Sequence, residues 1–501
     1  MKLSPLMVRT GLPAALAALV MTSAPAHATS HVFLVQNSGW MEPFFTDPAS
    51  PYKALITEVL LASTAPKDMV LLASFNQSLP DAPSPKKLAV FQVPDTATVR
   101  QQVTDALAPL TVARKPHSQA LADTDLNEAV SASIKQGLGG RPGLIWLFTN
   151  NKNSPNNDQA TAQRNREFYQ LIHQGSDITA ALAFPLKMPL QGKQYHANGM
   201  MVYVFASQPE GAKQLQALLA RGSLQKVLTE PAARLKPLDQ DSVQLQAQRV
   251  LDAPGVRFST DAKGVLWADV APGASQPQAK VQWLLHNRMH PYTIDSASVS
   301  AQSRLGRENR EVLLDHNQIS HLTPNSPQPL QTVLQLPLAQ LPGKWSLAAI
   351  GKAGSAYIVP GQLELHLSQQ KLSLAEPFKQ RMADLFPGDP LPDIFTPPAN
   401  IQQSSAILPL QVRVEYGVAP LLAALGAAAA MALAALGTYV QMGRLRKVAY
   451  RLDGVDKQLQ GRRGERCVIR NLQGDPVAEC QIGWFQHQLL NIRDGVNITL
   501  I

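Results

Sequence analysis

The sequence predicts an α/β domain with a mostly parallel sheet and helices on both faces, followed by a β-sandwich-like domain, one transmembrane helix and a small β-rich tail. Three observations predict this fold class. Apolar strand segments alternate with helical segments up to residue 235, short strand-like segments separated by turns follow from residue 250, and residues 417–440 form an uncharged apolar run.

Residues 1–28 have the pattern of a secretory signal peptide. Lys2 and Arg9 precede an apolar segment, LPAALAALVM, and Ala26-His27-Ala28 fits a small-x-small cleavage site. An uncleaved anchor helix is the alternative, but the apolar core is short and small polar residues follow it. We therefore expect export, with cleavage before Thr29.

Residues 29–235 read as one α/β domain, because strand-like and helical periodicities alternate along it. The first strand lies within VFLVQNSGWM, Val32–Met41. The further predicted strands are Met69–Phe75, Leu88–Val93, Gly143–Thr149, Ile178–Phe184 and Met200–Ala206. The predicted helices are Tyr52–Ser63, Asp95–Leu110, Thr124–Gln136, Gln159–His173 and Glu210–Ala220.

Residues 250–370 have short apolar segments separated by Gly, Pro, Asn and Ser, which is typical of an antiparallel β-sandwich. The predicted strands are Val256–Phe258, Gly264–Val270, Lys280–His286, Thr293–Ser300, Glu311–Leu314, Gln331–Leu336, Lys344–Ile350 and Gln362–Ser368. Trp267, Trp283 and Trp345 are its candidate buried aromatics. Residues 371–416 are rich in Pro and predict a stiff extended connector.

Residues 417–440 are long enough to cross a hydrocarbon core of about 30 Å. Arg444, Arg446, Lys447 and Arg451 follow the run and favour the cytoplasmic side by the positive-inside rule. We therefore predict a single-pass protein of the cytoplasmic (inner) membrane. Its large N-terminal part is periplasmic or otherwise extracytoplasmic, and residues 441–501 form a cytoplasmic β-rich tail.

Charge and cysteine usage agree with this topology. The formal charge of +9 suggests nucleic acid, but no basic run interleaved with aromatics occurs in the exported part, so we expect no nucleic-acid partner. Both cysteines, Cys467 and Cys480, lie in the predicted cytoplasmic tail, where thiols stay reduced. The exported part therefore depends on hydrophobic cores rather than disulfides.

The segment VFLVQNSGWM resembles the first strand and metal-site loop of a von Willebrand factor A (vWA) domain, where the loop reads Asp-x-Ser-x-Ser. Gln36, Ser38 and Trp40 occupy the three matching positions. Thr124, in ADTDLNEAV, matches the family's threonine before a helix, and Asn150, in LIWLFTNN, stands where the family has its second Asp. The resemblance covers residues 29–235 and implies a site at the carboxyl ends of the strands.

This resemblance implies a degenerate metal-ion-dependent adhesion site. Gln36 and Asn150 replace two carboxylates, and Trp40 replaces a serine, so the positions have lost the negative charge on which Mg²⁺ binding depends. We expect no cofactor and a metal-free binding rim of Gln36, Ser38, Trp40, Thr124 and Asn150. Asp123 and Asp125 flank Thr124, and Ser38, Thr124 and Asp125 are the weak alternative ligands; an Asp at a helix start is commonly a cap.

The expected function is a membrane-anchored exported protein-interaction module of the bacterial cell envelope, which binds a protein partner outside the cytoplasmic membrane. Trp40 is its expected anchor, with inward packing as the alternative. A cytoplasmic partner for the tail is a further expectation. Two other functions stay open: a subunit of an envelope enzyme complex, and a metal-dependent adhesion module that uses Asp123 or Asp125. We find no catalytic residues to assign; His286 and His290 have the spacing of a zinc motif but lie in strand-like sequence.

Overall fold

The computed structural model describes residues 28–153, 159–239, 241–252, 254–262, 264–271, 274, 278–388 and 394–501. The predicted signal peptide, residues 1–28, lies outside the described residues except for Ala28.

A seven-stranded mixed sheet forms the centre of the first domain. Its strands are β1 (Ser30–Gln36), β2 (Met69–Phe75), β3 (Lys86–Gln92), β4 (Gly143–Thr149), β5 (Ile178–Gln191), β6 (His196–Ser207) and β7 (Ala233–Lys236). Their order is β3-β2-β1-β4-β6-β5-β7. Among these strands only β1 with β2 and β1 with β4 pair in parallel.

The expectation of a mostly parallel sheet is therefore wrong, because four of the six adjacent strand pairs are antiparallel. β3 pairs antiparallel with β2, and β4, β5, β6 and β7 pair antiparallel among themselves. For the pair of β5 with β6 the reason is the length of these strands, which run to Gln191 and from His196. Only four residues separate them, and a connection this short joins antiparallel neighbours.

Helices cover both faces of this sheet. They are α1 (Glu42–Thr46), α2 (Tyr52–Ser63), α3 (Thr96–Leu107), α4 (Leu126–Ala132), α5 (Gln159–His173) and α6 (Gln208–Ala220). Strand β1 shows the division, because Phe33 and Val35 join the hydrophobic cluster under α2, α3 and α6, whereas Val32 and Leu34 join the cluster under α4 and α5. A strand buried on both faces reads as a continuous apolar run, which is what VFLV shows.

The second domain has two sheets around one hydrophobic cluster. The larger sheet contains β9 (Val256–Thr260), β10 (Leu266–Val270), β12 (Tyr292–Leu305), β13 (Glu308–Glu311), β15 (Gln318–Leu322), β17 (Ala356–Leu374) and β18 (Ser404–Glu415). The smaller contains β8 (Val243–Asp252), β11 (Gln278–Asn287), β14 (Leu313–Leu314) and β16 (Gln328–Gln335).

The three candidate tryptophans of this domain have different environments. Trp283 is fully buried and donates its indole N–H to Thr332 Oγ1 at 2.7 Å, whereas Trp267 is half-buried. Trp345 is 63% exposed, so its expected burial is wrong. The predicted strand Lys344–Ile350 is instead a turn followed by the short helix α7 (Leu347–Gly351), which Ser346 caps by accepting from Ala349 N–H.

Residues 371–416 are not an extended connector. β17 continues to Leu374, α8 (Glu376–Leu385) follows, and β18 inserts between β17 and β10. Phe378, Met382 and Leu385 form a helical i, i+4, i+7 stripe that packs into the first domain's cluster under α4 and α5. The surrounding prolines favour an extended segment, so the sequence analysis does not predict this helix. Pro377 is nevertheless compatible with α8, because it lies in the first turn, where proline is well tolerated.

The C-terminal part begins with α9 (Ala419–Gly443). Within it Ala419–Gln441 is long and apolar enough to span a membrane by length and composition. Two three-stranded sheets follow: β19 (Arg446–Leu452), β20 (Val455–Gly461) and β24 (Ile498–Leu500), and β21 (Arg466–Arg470), β22 (Pro476–Gln481) and β23 (Gln488–Leu490). They share one small core, in which Cys480 is buried.

Substitution of Phe378 tests the packing of α8 on the first domain. Phe378→Ala removes a buried ring from this contact and should lower the free energy of unfolding by about 3–5 kcal/mol. Lys379→Ala, on the exposed face of the same helix, should change it by less than about 0.5 kcal/mol. Urea unfolding of the purified chain measures both values, and equal effects of the two substitutions would contradict the packing.

Candidate functional site

The side-chain amide of Gln36 lies at the carboxyl end of β1 and makes four hydrogen bonds. Its nitrogen donates to Ser38 Oγ at 2.7 Å and to Thr124 Oγ1 at 3.0 Å. Its oxygen accepts from the Thr149 hydroxyl and from the Asn150 backbone N–H, the latter at 3.1 Å. A glutamine amide has two N–H donors and an oxygen with two lone pairs, so this side chain is fully satisfied.

The backbone identifies the orientation of this amide. Asn150 N–H can only donate, so the atom of Gln36 that receives it is the oxygen, and the amide nitrogen faces Ser38 and Thr124. The two hydroxyl oxygens lie 2.5 Å apart and share a hydrogen bond of their own. The amide and the two hydroxyls therefore form one continuous network.

Three chain segments meet at this network because of the parallel pairing of β1 with β4. Gln36 and Ser38 follow β1, Thr149 and Asn150 end β4, and Thr124 precedes α4. We call Gln36, Ser38, Thr124, Thr149 and Asn150 the amide node. Carboxyl ends of parallel strands meet at one edge of a sheet, which places these polar groups together.

Two neighbouring contacts brace the node. The Tyr52 hydroxyl, from α2, donates to the carbonyl oxygens of Gln36 and Phe148 at 3.0 and 3.3 Å, and burial raises the pKa of Tyr52 well above its ordinary value. Gly39 N–H donates to Ala122 O at 2.8 Å, and a Cβ at Gly39 would lie 2.7 Å from Leu121 Cβ. A side chain at position 39 would therefore separate the two loops.

The nearby carboxylates do not belong to the node. Asp125 caps α4 by accepting from Glu128 N–H at 2.9 Å, and its other oxygen lies 3.5 Å from Arg164 Nε. Asp123 pairs with Lys115 at 2.7 Å. Both acids thus have cationic or backbone donors, and the chain as far as it is described contains no group of three or more His, Cys, Asp or Glu side chains arranged for a metal.

The donor set of the node does not fit Mg²⁺. A hard divalent cation needs oxygen ligands that carry negative charge, whereas every side chain of the node is neutral. In addition, the Gln36 amide directs its two N–H groups at Ser38 and Thr124, the two hydroxyls that the resemblance assigns to the metal. Hydrogen bonds therefore join the three segments at the positions that the resemblance assigns to a metal site.

Trp40 lies outside the node, beside a cavity. Its ring is half-buried, with the Tyr195 ring centroid at 4.6 Å and Lys152 Nζ 4.6 Å above its own centroid. Asn150 Nδ2 donates to the Trp40 carbonyl oxygen at 3.0 Å, which ties this loop to the node. The cavity measures about 420 Å³ and is lined by Trp40, Asn150, Lys152, Gln194, Tyr195, His196, Ala197, Asn198, Gly199, Leu385, Phe386 and Pro387.

One wall of this cavity is the β5–β6 turn, residues 192–195, and Glu42 fixes this turn in place. Its carboxylate accepts from the backbone N–H of Lys193 at 2.8 Å, and from those of Gln194 and Tyr195 at 3.3 and 3.4 Å. Burial raises the pKa of Glu42, but these hydrogen bonds, together with one from the Thr46 hydroxyl, outweigh burial and keep the pKa below its ordinary value. A Cβ at Gly192 would lie 1.9 Å from Glu42 Oε2, so a side chain at position 192 would displace the carboxylate from this arrangement.

The five residues expected at the binding rim thus divide into two groups. Gln36, Ser38 and Thr124 are fully buried and hydrogen-bond one another. They therefore do not line the expected binding rim. Trp40 and Asn150 line the cavity. Its other walls come from positions that the sequence analysis did not single out, namely Lys152, the β5–β6 turn and the end of α8.

No known protein family and no curated protein matches this chain.

Substitution of Gln36 tests the amide node. Gln36→Met keeps the length of the side chain but removes one hydrogen bond from each of four buried groups, the hydroxyls of Ser38, Thr124 and Thr149 and the Asn150 N–H. Because each unsatisfied buried group costs about 1–3 kcal/mol, we expect a loss of at least about 2 kcal/mol in unfolding free energy. Gln101→Met, on the exposed face of α3, is the control and should stay within about 0.5 kcal/mol of the wild type. Urea unfolding measures both, and a near-neutral Gln36→Met would contradict the node.

Proposed function

We propose that the chain is a membrane-anchored, exported protein-interaction module of the bacterial cell envelope. Its first domain is vWA-like and binds a protein partner at the Trp40 cavity without a metal bridge. The observation that carries the proposal is the amide node, which joins the three loops of a metal-type site through neutral hydrogen bonds.

The chemistry of the cavity supports a protein partner. Trp and Tyr are enriched at protein interfaces, and here Trp40 and Tyr195 form adjacent walls. Lys152 lies above the Trp40 ring and adds a positive charge. Carboxylates are absent from the described lining residues, so the cavity favours a partner surface that offers acidic or other hydrogen-bond-accepting groups.

The construction of the cavity supports a preformed site. Asn150, which belongs to the node, holds the loop that contains Trp40. Glu42 holds the β5–β6 turn, which contains Tyr195. Rigid walls lose little conformational entropy on binding, which favours affinity. The apolar length of Ala419–Gln441 and the basic residues after it support an anchor in the cytoplasmic membrane, with the cavity on the far side.

A photocrosslinking experiment in native membranes tests the proposal. A photoreactive residue is placed at position 198, on the cavity wall, in the full-length chain, and Trp40→Ala is compared with Trp345→Ala. Trp345 is the matched control because it is an exposed tryptophan beside a lysine in the other domain. We expect a protein adduct that Trp40→Ala reduces at least about tenfold, as the loss of an interface anchor implies, and that Trp345→Ala leaves unchanged.

Two results would contradict this function. One is an adduct whose yield is the same in Trp40→Ala and Trp345→Ala, because the crosslinked protein would then not depend on the cavity. The other is the absence of any protein adduct in membranes that contain the expressed chain. Trp40→Phe, which keeps an aromatic wall, should retain most of the adduct and separates loss of contact from loss of folding.

A further inference from the structure

One end of the C-terminal part carries an exposed aromatic pair beside the end of α9. β19 begins three residues after α9, and its first residue, Arg446, pairs with Gly461. The loop 462–465 then leads into β21, whose first residue, Arg466, pairs with Gln481. The corresponding ends of both sheets therefore lie next to the end of α9, and we call this end the proximal end.

Specific contacts place the aromatic pair at the proximal end. Arg463 Nη1 donates to Gln441 Oε1, in the last turn of α9, at 3.1 Å. The guanidinium carbon of the same arginine lies 5.3 Å from the centre of the Trp484 ring. Trp484 is 46% exposed, and the adjacent Phe485 is 97% exposed. Two backbone hydrogen bonds join the loop 462–465 to the segment that contains Trp484 and Phe485. They run from Gly464 N–H to Ile482 O and from Ile482 N–H to Glu465 O.

Charge is distributed unevenly between the two ends of this part. The segments 444–447 and 462–466 at the proximal end contain six basic residues and one acidic residue, Glu465. The basic residues are Arg444, Arg446, Lys447, Arg462, Arg463 and Arg466. The opposite end carries Asp453 and Asp475. Arg451 there is paired with Asp456, and Arg470 donates to Gly474 O at 2.9 Å. Positive charge and exposed aromatic surface thus coincide next to α9.

We infer that the proximal end docks on the anionic lipid surface of the leaflet from which α9 emerges. Trp484 and Phe485 enter the headgroup region, and the basic side chains contact lipid phosphates. Aromatic residues favour the membrane–water interface, and basic clusters next to a membrane span bind anionic lipids. The inference rests on the membrane span of the proposed function and goes beyond it, because it gives the tail a lipid partner and a fixed orientation.

Fluorescence of the full-length chain in lipid nanodiscs tests this docking. The discs contain anionic phospholipid with brominated acyl chains, and discs with unbrominated lipid serve as the reference. The emission of Trp484 is the difference between the wild type and Trp484→Phe. We expect brominated lipid to quench most of this emission, with weaker quenching in purely zwitterionic discs and at high salt, where phosphate contacts are weakened.

Phe485→Ser and Leu472→Ser form the matched pair of variants. Leu472 is 89% exposed but lies in the turn between β21 and β22, roughly 15 Å from the proximal end by the rise of a strand. Phe485→Ser should reduce the quenching at least about twofold, because it removes the apolar contact with lipid. Leu472→Ser should leave the quenching unchanged.

The outcomes separate this inference from the proposed function. A chain that enters the discs but shows equal Trp484 emission in brominated and unbrominated lipid overturns the docking and leaves the span intact. Equal effects of Phe485→Ser and Leu472→Ser on the quenching overturn it as well. Binding of a cytoplasmic protein at Phe485 in place of lipid would also overturn it. A chain that fails to enter the discs overturns the span and the docking together.

Discussion

A neutral side chain joins the carboxyl ends of β1 and β4 to the loop before α4, and the arrangement of the site depends on it. The Gln36 amide uses both of its N–H groups and both lone pairs of its oxygen on these segments. A cation would hold the same loops through charge and would leave an open coordination position for a ligand. The amide holds them through short-range hydrogen bonds and leaves no group of its own free, so the partner binding that we propose has to occur beside the node.

The cavity at which we propose binding lies directly beside the node. Asn150 takes part in the node through its backbone N–H and in the cavity wall through its side chain, which bonds the Trp40 carbonyl. The opposite wall includes Leu385 and Phe386 at the end of α8, the helix that lies in the chain between strands β17 and β18 of the second domain. From there the chain passes through β18 directly into α9. The cavity is thus formed by loops of the first domain together with α8, which packs on that domain.

Part of this arrangement is predictable from the sequence. The apolar runs identify β1, β2 and β4, whose observed bounds differ little from those predicted, because strands buried on both faces leave a strong local pattern. The positions of Gln36, Ser38 and Thr124 place them at one edge of the sheet, where the structure also brings them together. The length and lack of charge of Ala419–Gln441 are likewise properties of the sequence alone.

The rest depends on contacts between distant segments. The full burial of Gln36 and Ser38 results from packing of three loops, which periodicity does not report. The role of α8 depends on Phe378 and Met382 meeting the first domain, and the prolines around them indicated an extended segment instead. Trp345 was expected to be buried because of its residue type, but it lies in a turn and faces solvent. Tyr195 enters the site only because β5 and β6 are longer than their apolar cores.

The most direct test of a metal-free site is the unfolding temperature of the full-length chain, after chelation, with and without millimolar Mg²⁺. A ligand at a hundred times its dissociation constant adds about 2.7 kcal/mol to stability, which a thermal scan resolves. We predict no shift for the wild type and a rise for the variant Gln36→Asp/Trp40→Ser/Asn150→Asp, which introduces two carboxylates and a serine hydroxyl at the positions that resemble a vWA metal site. A rise in the unfolding temperature of the wild type would show that the node still binds a cation and would contradict the account.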